Sequence, residues 1–455
     1  MAEIKTFDEL AEFAKEILAE SRAQGANAAQ VQMYSSENIA TRYGEKHITQ
    51  NTLRSSTDFG LQVTVGSKVG NYFGTFDKGM IKQMVNDAIT LAKFSPDDPE
   101  FPGFVEEQPV YPKLESRMKE YAPMDISDQV KLAIESADIN SQISAVAGNL
   151  NYTIGRTVLL NSYDVRAQRE GSTLSGVVNV AATEGTGESR SSSTVAGVSF
   201  NDLHIEETAK AVAERAHRGL NQGEIEVGSY ESIFGREATM ELMFHMGLAS
   251  SSSMLINYQS PFKDKLGEQL FDKRFTITDA VSDPDHYASQ NFDNDGEPSR
   301  DITYIEDGMV KEFAYNRRNA KKLGVETNGR SVGGFALFRS PSIKPGSKSE
   351  EELIASIDNG VYITSLWYCN FVNMPDSSLT GLTRDGLFRI KNGEIVGSLK
   401  NMRFTDTMFS MYKDVEPGND VLQKLHGTYG SIFGLAGKIP TLKLGAFNFS
   451  SKGKH

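Results

Sequence analysis

The sequence predicts an α+β protein in three parts: an N-terminal antiparallel sheet with helices, a middle α/β segment, and a β-rich C-terminal domain carrying one apolar helix. Three observations carry that prediction. The first 94 residues read as helix, alternating strands, helix; prolines crowd residues 96–112; and the turn dipeptides Asp307-Gly308 and Asn392-Gly393 each sit between alternating apolar runs. At 455 residues the chain exceeds one core of typical size. We therefore expect an N-terminal domain at 1–94, a Pro-rich linker at 95–112, a middle domain at 113–222 and a C-terminal domain at 223–455.

Thr6 followed by Glu9 is a capping-box signature, and Leu10, Phe13, Ala14, Ile17 and Leu18 give the stripe of a helix that ends near Gly25. Short alternating runs at Val31–Tyr34, Leu61–Val65 and Val69–Phe73, broken at Ser35, Gly44, Gly60 and Gly66, predict an antiparallel meander. Asp77 caps a helix over about 78–92. The middle part opens with a helix around Ile126–Ala137. It continues through strands near Ile143–Tyr152, Arg156–Asn161 and Leu174–Ala182, and ends in a charged helix over about 202–220. Ser189–Ser193 reads as a turn or mobile loop. After Gln222 strands dominate, with short helices at Glu350–Ile357 and Asp406–Tyr412.

Embedded there is the stretch Gly235–Gly267. From Arg236 to Ala249 the apolar residues Met240, Met243, Phe244, Met246 and Leu248 predict a core helix. Glu237, Glu241 and His245 stand four apart on its other face, where they could converge on a cation or form a carboxylate–imidazole ladder. Zinc hydrolysis on a helix uses two histidines about a turn apart with a glutamate base, and this helix holds one histidine.

Composition narrows the function classes. A 39% hydrophobic share with no run of about 18 apolar residues indicates a water-soluble globular chain, and the opening MAEIKTFDEL has no signal-peptide pattern, so we expect a cytoplasmic protein. A single cysteine, Cys369, agrees with a reducing compartment. The net charge of -13 argues against nucleic acid and anionic membrane as partners. Of the seven histidines, no two have zinc-pair spacing; His217 reads as a surface residue and His455 is terminal. Cys369 reads as a small buried hydrophobe rather than a nucleophile. The loop Phe292–Pro298 reads as a tight turn rather than a calcium loop, because it lacks the distal glutamate. The basic helix Tyr315–Gly324 could meet a substrate carboxylate or a partner, or be solvated.

In order along the chain, Ser260-Pro261-Phe262 to Leu266-Gly267, Asp295-Gly296-x-Pro298, Asn319-Ala320-x-x-Leu323-Gly324, Thr327-Asn328-Gly329-Arg330, Asn392-Gly393-Glu394-Ile395 and Ile439-Pro440-Thr441-Leu442 resemble the TldD/PmbA (TldD/TldE) family. That resemblance implies a subunit of a cytoplasmic zinc metallopeptidase. In the TldD branch a His-Glu-x-x-x-His helix supplies two zinc ligands and the base, and a late cysteine supplies a third ligand. Counting back from Phe262 and Gly267 puts Met243, Phe244 and Leu248 at the motif positions, and counting back from Pro440 puts His426 at the cysteine. The chain therefore resembles the PmbA/TldE-like, non-catalytic subunit, with no catalytic residue and no metal of its own, and with zinc expected in a TldD-like partner. The resemblance implies a dimer, with that partner or with itself, acting on unfolded or leader peptides. Arg317, Arg318, Asn319 and Arg330 are candidate peptide or partner contacts. A divergent metal site built from His245, Glu241 and His426 is the enzymatic alternative, and a homodimer that grips peptides without cutting them is the binding alternative.

Overall fold

The computed structural model describes residues 4–427 and 434–453, so His455 lies outside the described residues. Helix α1 (Phe7–Ala23) starts at a complete capping box between Thr6 and Glu9. Helix α2 (Ile81–Phe94) follows one 3-10 turn capped by Asp77. Between them run β1 (Ala28–Gly44), β2 (His47–Val65) and β3 (Lys68–Thr75). These strands continue through Ser35 and Gly60, where breaks were expected. Ser35 is held in the strand by hydrogen bonds from Lys5 N and the Thr57 hydroxyl. Gly60 makes room for a ring: a Cβ there would lie 2.8 Å from Phe73.

Residues 95–112 contain no helix or strand, yet the strands on either side of them join one sheet. Beyond helix α3 (Pro123–Ala137), β4 (Ile143–Asn161), β5 (Arg166–Glu184) and β6 (Gly187–Gly197) complete the antiparallel order β3-β2-β1-β4-β5-β6. The central seam pairs β1 with β4 from Gln30↔Asn161 to Tyr43↔Gly148. Helices cover one face of the sheet and bury two apolar cores. One is built with α1 and α2 around Leu10, Val31, Leu61 and Val85. The other, around Ile126, Val178 and Val212, lies under α3 and the charged helix. That charged helix is two helices, α4 (Phe200–Leu203) and α5 (Ile205–Arg218), separated at His204, whose φ is +43°. Ser189–Ser193 is strand, not loop: it lies within β6, with Ser189, Ser191 and Ser193 buried. Small hydroxyls are needed there, since Arg215 Nε donates to Ser191 Oγ at 3.2 Å and Gly219 packs against the Ser189 hydroxyl.

Among the described residues the C-terminal half contains a two-stranded pair, Ser331–Val332 with Phe335–Ala336, and two larger sheets. In one, Gly228–Phe234 lies between Asn359–Asn373 and Leu442–Lys452; Met402–Thr407, Ser378–Lys391 and Glu394–Leu399 follow, and Ser378–Lys391 pairs back onto Asn359–Asn373. The other is assembled from short strands, including Ile302–Glu306, Leu422–Leu425 and Ala436–Ile439. Both turn dipeptides close hairpins, with Asp307 and Asn392 at positive φ. Helix α6 (Arg236–Ala249) is buried within this half, as the mixed α+β reading requires. Among the described residues no helix is long and apolar enough to cross a membrane.

Candidate functional site: a groove beside helix α6

Most of α6 is core: Ala238, Met240, Leu242, Met243 and Met246 are fully buried. One line at helical spacing, Glu237, Glu241, Phe244 and Leu248, is only half-buried. Of the three positions aligned with the metallopeptidase motif, Met243 thus lies in the core. Phe244 instead packs edge-on against the rings of His245 and His426, with centroids 5.5 and 5.4 Å away.

The polar groups of this line are committed to partners in the chain. Lys424 Nζ lies 2.9 Å from Glu237 Oε1 and also donates to Ser193 Oγ at 2.8 Å, while the Ser193 hydroxyl donates to Glu237. Burial works to raise the Glu237 carboxyl, but the charges of Lys424 and Arg215 with the Ser193 hydrogen bond hold it down at about 2. Burial pushes Glu241 up to about 7. Its Oε2 lies 3.2 Å from His426 Nε2, and burial, with the neighbouring His245, lowers His426 to about 3. The expected ladder within the helix is absent: His245 Nδ1 and Nε2 face the backbone oxygens of Glu241 and Cys369, each at 3.2 Å. A neutral imidazole can donate to one of these, and burial lowers the His245 pKa. Cys369 is buried and its thiol is raised by burial, the opposite of an activated nucleophile.

Zinc needs at least three donors at about 2.0–2.3 Å. Here Glu237 is neutralised by Lys424 and His245 is turned to carbonyls, and among the described residues no three His, Cys, Asp or Glu side chains converge as a metal requires. The donor set does not fit that ion.

What α6 does border is a groove between the six-stranded sheet and the C-terminal half. Cavities of about 720 and 450 Å³ meet at Ser192, Arg384 and Asp385. The floor is the face of β4 and β5 that carries no helix, with Asn149, Asn151, Ser175 and Val177, and the α6 wall presents Glu237 and Glu241. Arg384 lies 4.2 Å over the Trp367 ring. The Asp385 carboxylate accepts from Ser192 Oγ and Ser365 Oγ, each at 3.0 Å, and burial raises its pKa. Sequence reading missed this floor. Its trace is the alternation in β4, where Asn149, Asn151 and Thr153 interleave with buried Leu150, Tyr152 and Ile154.

The basic helix (Arg317–Leu323) does meet a carboxylate, from its own chain. Arg318 pairs with Asp98 and Lys322 Nζ lies 2.9 Å from Glu100. Arg317 donates to Gly103 O and Phe104 O and pairs with Glu297, so the helix fastens the Pro-rich segment. Asn319 is buried against Ser252 and Ser253. Arg330 is fully buried, 2.6 Å from Asp279 and bonded to three carbonyls. The 292–298 loop is the expected turn, with Asp293 accepting the Asp295, Glu297 and Ser331 amides.

The description "PmbA/TldA metallopeptidase C-terminal domain" fits residues 227–451, and "PmbA/TldA metallopeptidase central domain" fits residues 119–220. The chain belongs to the PmbA/TldD metallopeptidase family. The metalloprotease PmbA of Escherichia coli O157:H7 is 23% identical over 438 residues, covering 94% of this chain and 93% of that protein. A metalloprotease of Methanothermobacter thermautotrophicus is 27% identical over 222 residues, 47% of each chain, so the likeness spans about half of that relative. The crystal structure of TldE from Thermococcus kodakarensis superposes with a TM-score of 0.85 at 20% identity, covering 96% of this chain and 100% of that one; the two share a fold.

Proposed function

We propose that this chain is the PmbA/TldE-like, metal-free subunit of a cytoplasmic two-subunit metallopeptidase. It pairs with a TldD-like subunit that carries the zinc, and its groove helps hold an unfolded or leader peptide for cleavage by that partner. The observation that carries this reading is helix α6, which borders the groove with Glu237 and Glu241. Apolar residues stand at the motif positions, and Glu237, the first carboxylate, is spent on Lys424. Family membership supports the peptidase context. Co-purification with a TldD-like chain bearing an intact His-Glu-x-x-x-His helix tests it. We expect a complex with zinc in proportion to the partner and peptide cleavage only by the complex. Zinc-dependent cleavage by this chain alone, or no association, overturns the reading.

A further inference from the structure

Beyond the groove, the same face of β4 and β5 runs on to a cationic end. Successive cross-strand pairs on β4 and β5 are Asn151↔Ser175, Thr153↔Thr173, Gly155↔Gly171 and Thr157↔Arg169. Alternate residues of a strand share a face, so Arg169 projects from the same face as Asn151 and Ser175. Six residues of strand separate the two ends, roughly 20 Å. Just before that end Gly155 makes room for the Tyr34 ring, which a Cβ there would meet at 3.0 Å, and Gly171 makes room for Arg117.

Two guanidinium groups gather there. Arg117 bridges to Gly171, and a Cβ on that glycine would lie 3.5 Å from Arg117 Nη2, so the guanidinium covers it. Arg117 Nη1 donates to His286 O at 2.5 Å and, at 3.5 Å, to Pro284 O, and its Nη2 donates to Ser289 O at 3.5 Å, while its buried Nε makes no hydrogen bond. Arg169 Nη1 donates to Phe292 O at 2.8 Å and its guanidinium lies 4.6 Å over the Phe292 ring. Neither forms an ion pair among the described residues, in a chain of net charge -13. Of the nearby acids, Glu170 pairs with Arg156 at 2.9 Å, Asp283 pairs with Lys438 at 2.5 Å, and Asp293 accepts three backbone amides, while Asp285 acts on Arg117 only at a distance. Burial, and then the charges of Arg339 and Arg117, lower Arg169 to about 10, outweighing Tyr34 and Asp293, which act to raise it. The loop through His286 and Phe292 closes the face at this point.

We propose that Arg117 and Arg169 bind the C-terminal carboxylate of an extended peptide whose preceding residues lie along β4 and β5 toward α6. The proposal rests on the peptide-holding role above and adds to it a ligand group, a direction and an end-stop. A guanidinium presents paired N–H donors that match a carboxylate, whereas a terminal amide offers neither the charge nor two equivalent acceptors.

The test is fluorescence anisotropy of the full chain with one labelled, uncharged decapeptide made as the free acid and as the C-terminal amide. We expect the free acid to bind at least about tenfold more tightly. Arg117→Gln and Arg169→Gln should each remove most of that preference, Arg169→Lys should keep part of it, and added salt should shrink it. Equal affinity of acid and amide overturns the carboxylate site while leaving the peptide-holding role intact; no binding of either peptide overturns both. A preference that survives in folded Arg117→Gln and Arg169→Gln chains shows that these arginines only tie the 283–292 loop to the sheet. If a Gln variant does not fold, the acid-to-amide ratio of the unaltered chain decides alone.

Discussion

Lys424 is a buried ammonium whose cost of burial is offset by Glu237 and Ser193. Breaking a buried pair by removing one partner costs about 3–5 kcal/mol, so Glu237→Gln should lower stability by that order in urea unfolding. Glu237 is held below its ordinary 4.5 at about 2; its stabilising share is present above about pH 4.5 and lost as pH falls toward 2. Glu241 has the opposite sign. Burial raises it from 4.5 to about 7, so the folded protein holds its proton, and stability is lost as pH rises from 4.5 through 7. The loss is at most about 3 kcal/mol, at 1.36 kcal/mol per pKa unit. Glu241→Gln should therefore flatten the decline in unfolding free energy between pH 5 and pH 8; identical slopes in the two proteins would refute this. The i, i+4 spacing placed Glu237 and Glu241 on one helix face correctly. It could not name Lys424 as a partner, because that residue arrives from a segment nearly two hundred residues away, and His426 was grouped with Glu241 only by counting along the family's motifs.

At the scale of elements, α6 was legible as a core helix from its apolar spacing, but not which of its apolar residues are sealed in the core. Met243 is fully buried, whereas Phe244 and Leu248 are half-buried. Replacing Met243 by His buries a polar ring without a partner, a cost of roughly 2–5 kcal/mol from lost packing and desolvation. Leu248→His should cost about 1 kcal/mol or less, since a half-buried ring keeps contact with water. Thermal melts of the two single variants separate the cases, and the triple variant that adds Phe244→Glu should melt no higher with zinc than without it. Zinc-dependent stability in that variant would show that the packing account is wrong. Strand lengths were less legible than helices. Ser35, Gly60 and Ser189–Ser193 look like breaks by residue type, yet each sits in a ladder because a neighbour needs the small side chain: Thr57, Phe73 and Arg215 in turn.

The same basic helix shows how an element-level reading can be right in chemistry and silent on the partner. A cluster of Arg and Lys in an acidic chain did imply a carboxylate, and Asp98, Glu100 and Glu297 supply it from within. Because 95–112 has no helix or strand of its own, these contacts are expected to fix its path. Arg317→Ala with Arg318→Ala should accelerate limited proteolysis within 95–112 several-fold, with little change elsewhere. Unchanged cleavage there would mean that Tyr111, which donates to Gly296 O, holds the segment without them.

For the whole molecule, alternation told which strand face is apolar but not which strand lies alongside, so the β1–β4 seam that joins both sides of the Pro-rich segment was invisible in the sequence. The same limit applied to the surface. Strand Asn359–Asn373 pairs in parallel with Gly228–Phe234 only over Gly360–Ile363; beyond that α6 lies beside the strand, with His245 Nε2 3.2 Å from Cys369 O, yet side chains at this edge reach water. Trp367, Tyr368 and Val372 on it are 46%, 71% and 62% exposed. A sheet edge with aromatic and aliphatic side chains in water is a template for association unless something covers it. Trp367 also borders the groove, so a second chain seated on this edge would stand at the groove's mouth. We therefore expect the chain not to be a monomer: light scattering should give at least twice 50.0 kDa, for the chain alone or mixed with a TldD-like partner. Tyr368→Lys with Val372→Lys should reduce that mass while changing the melting temperature little, because both side chains are already exposed in the single chain. A mass that stays at 50.0 kDa through a tenfold dilution series, with and without the partner, would leave this edge as ordinary surface.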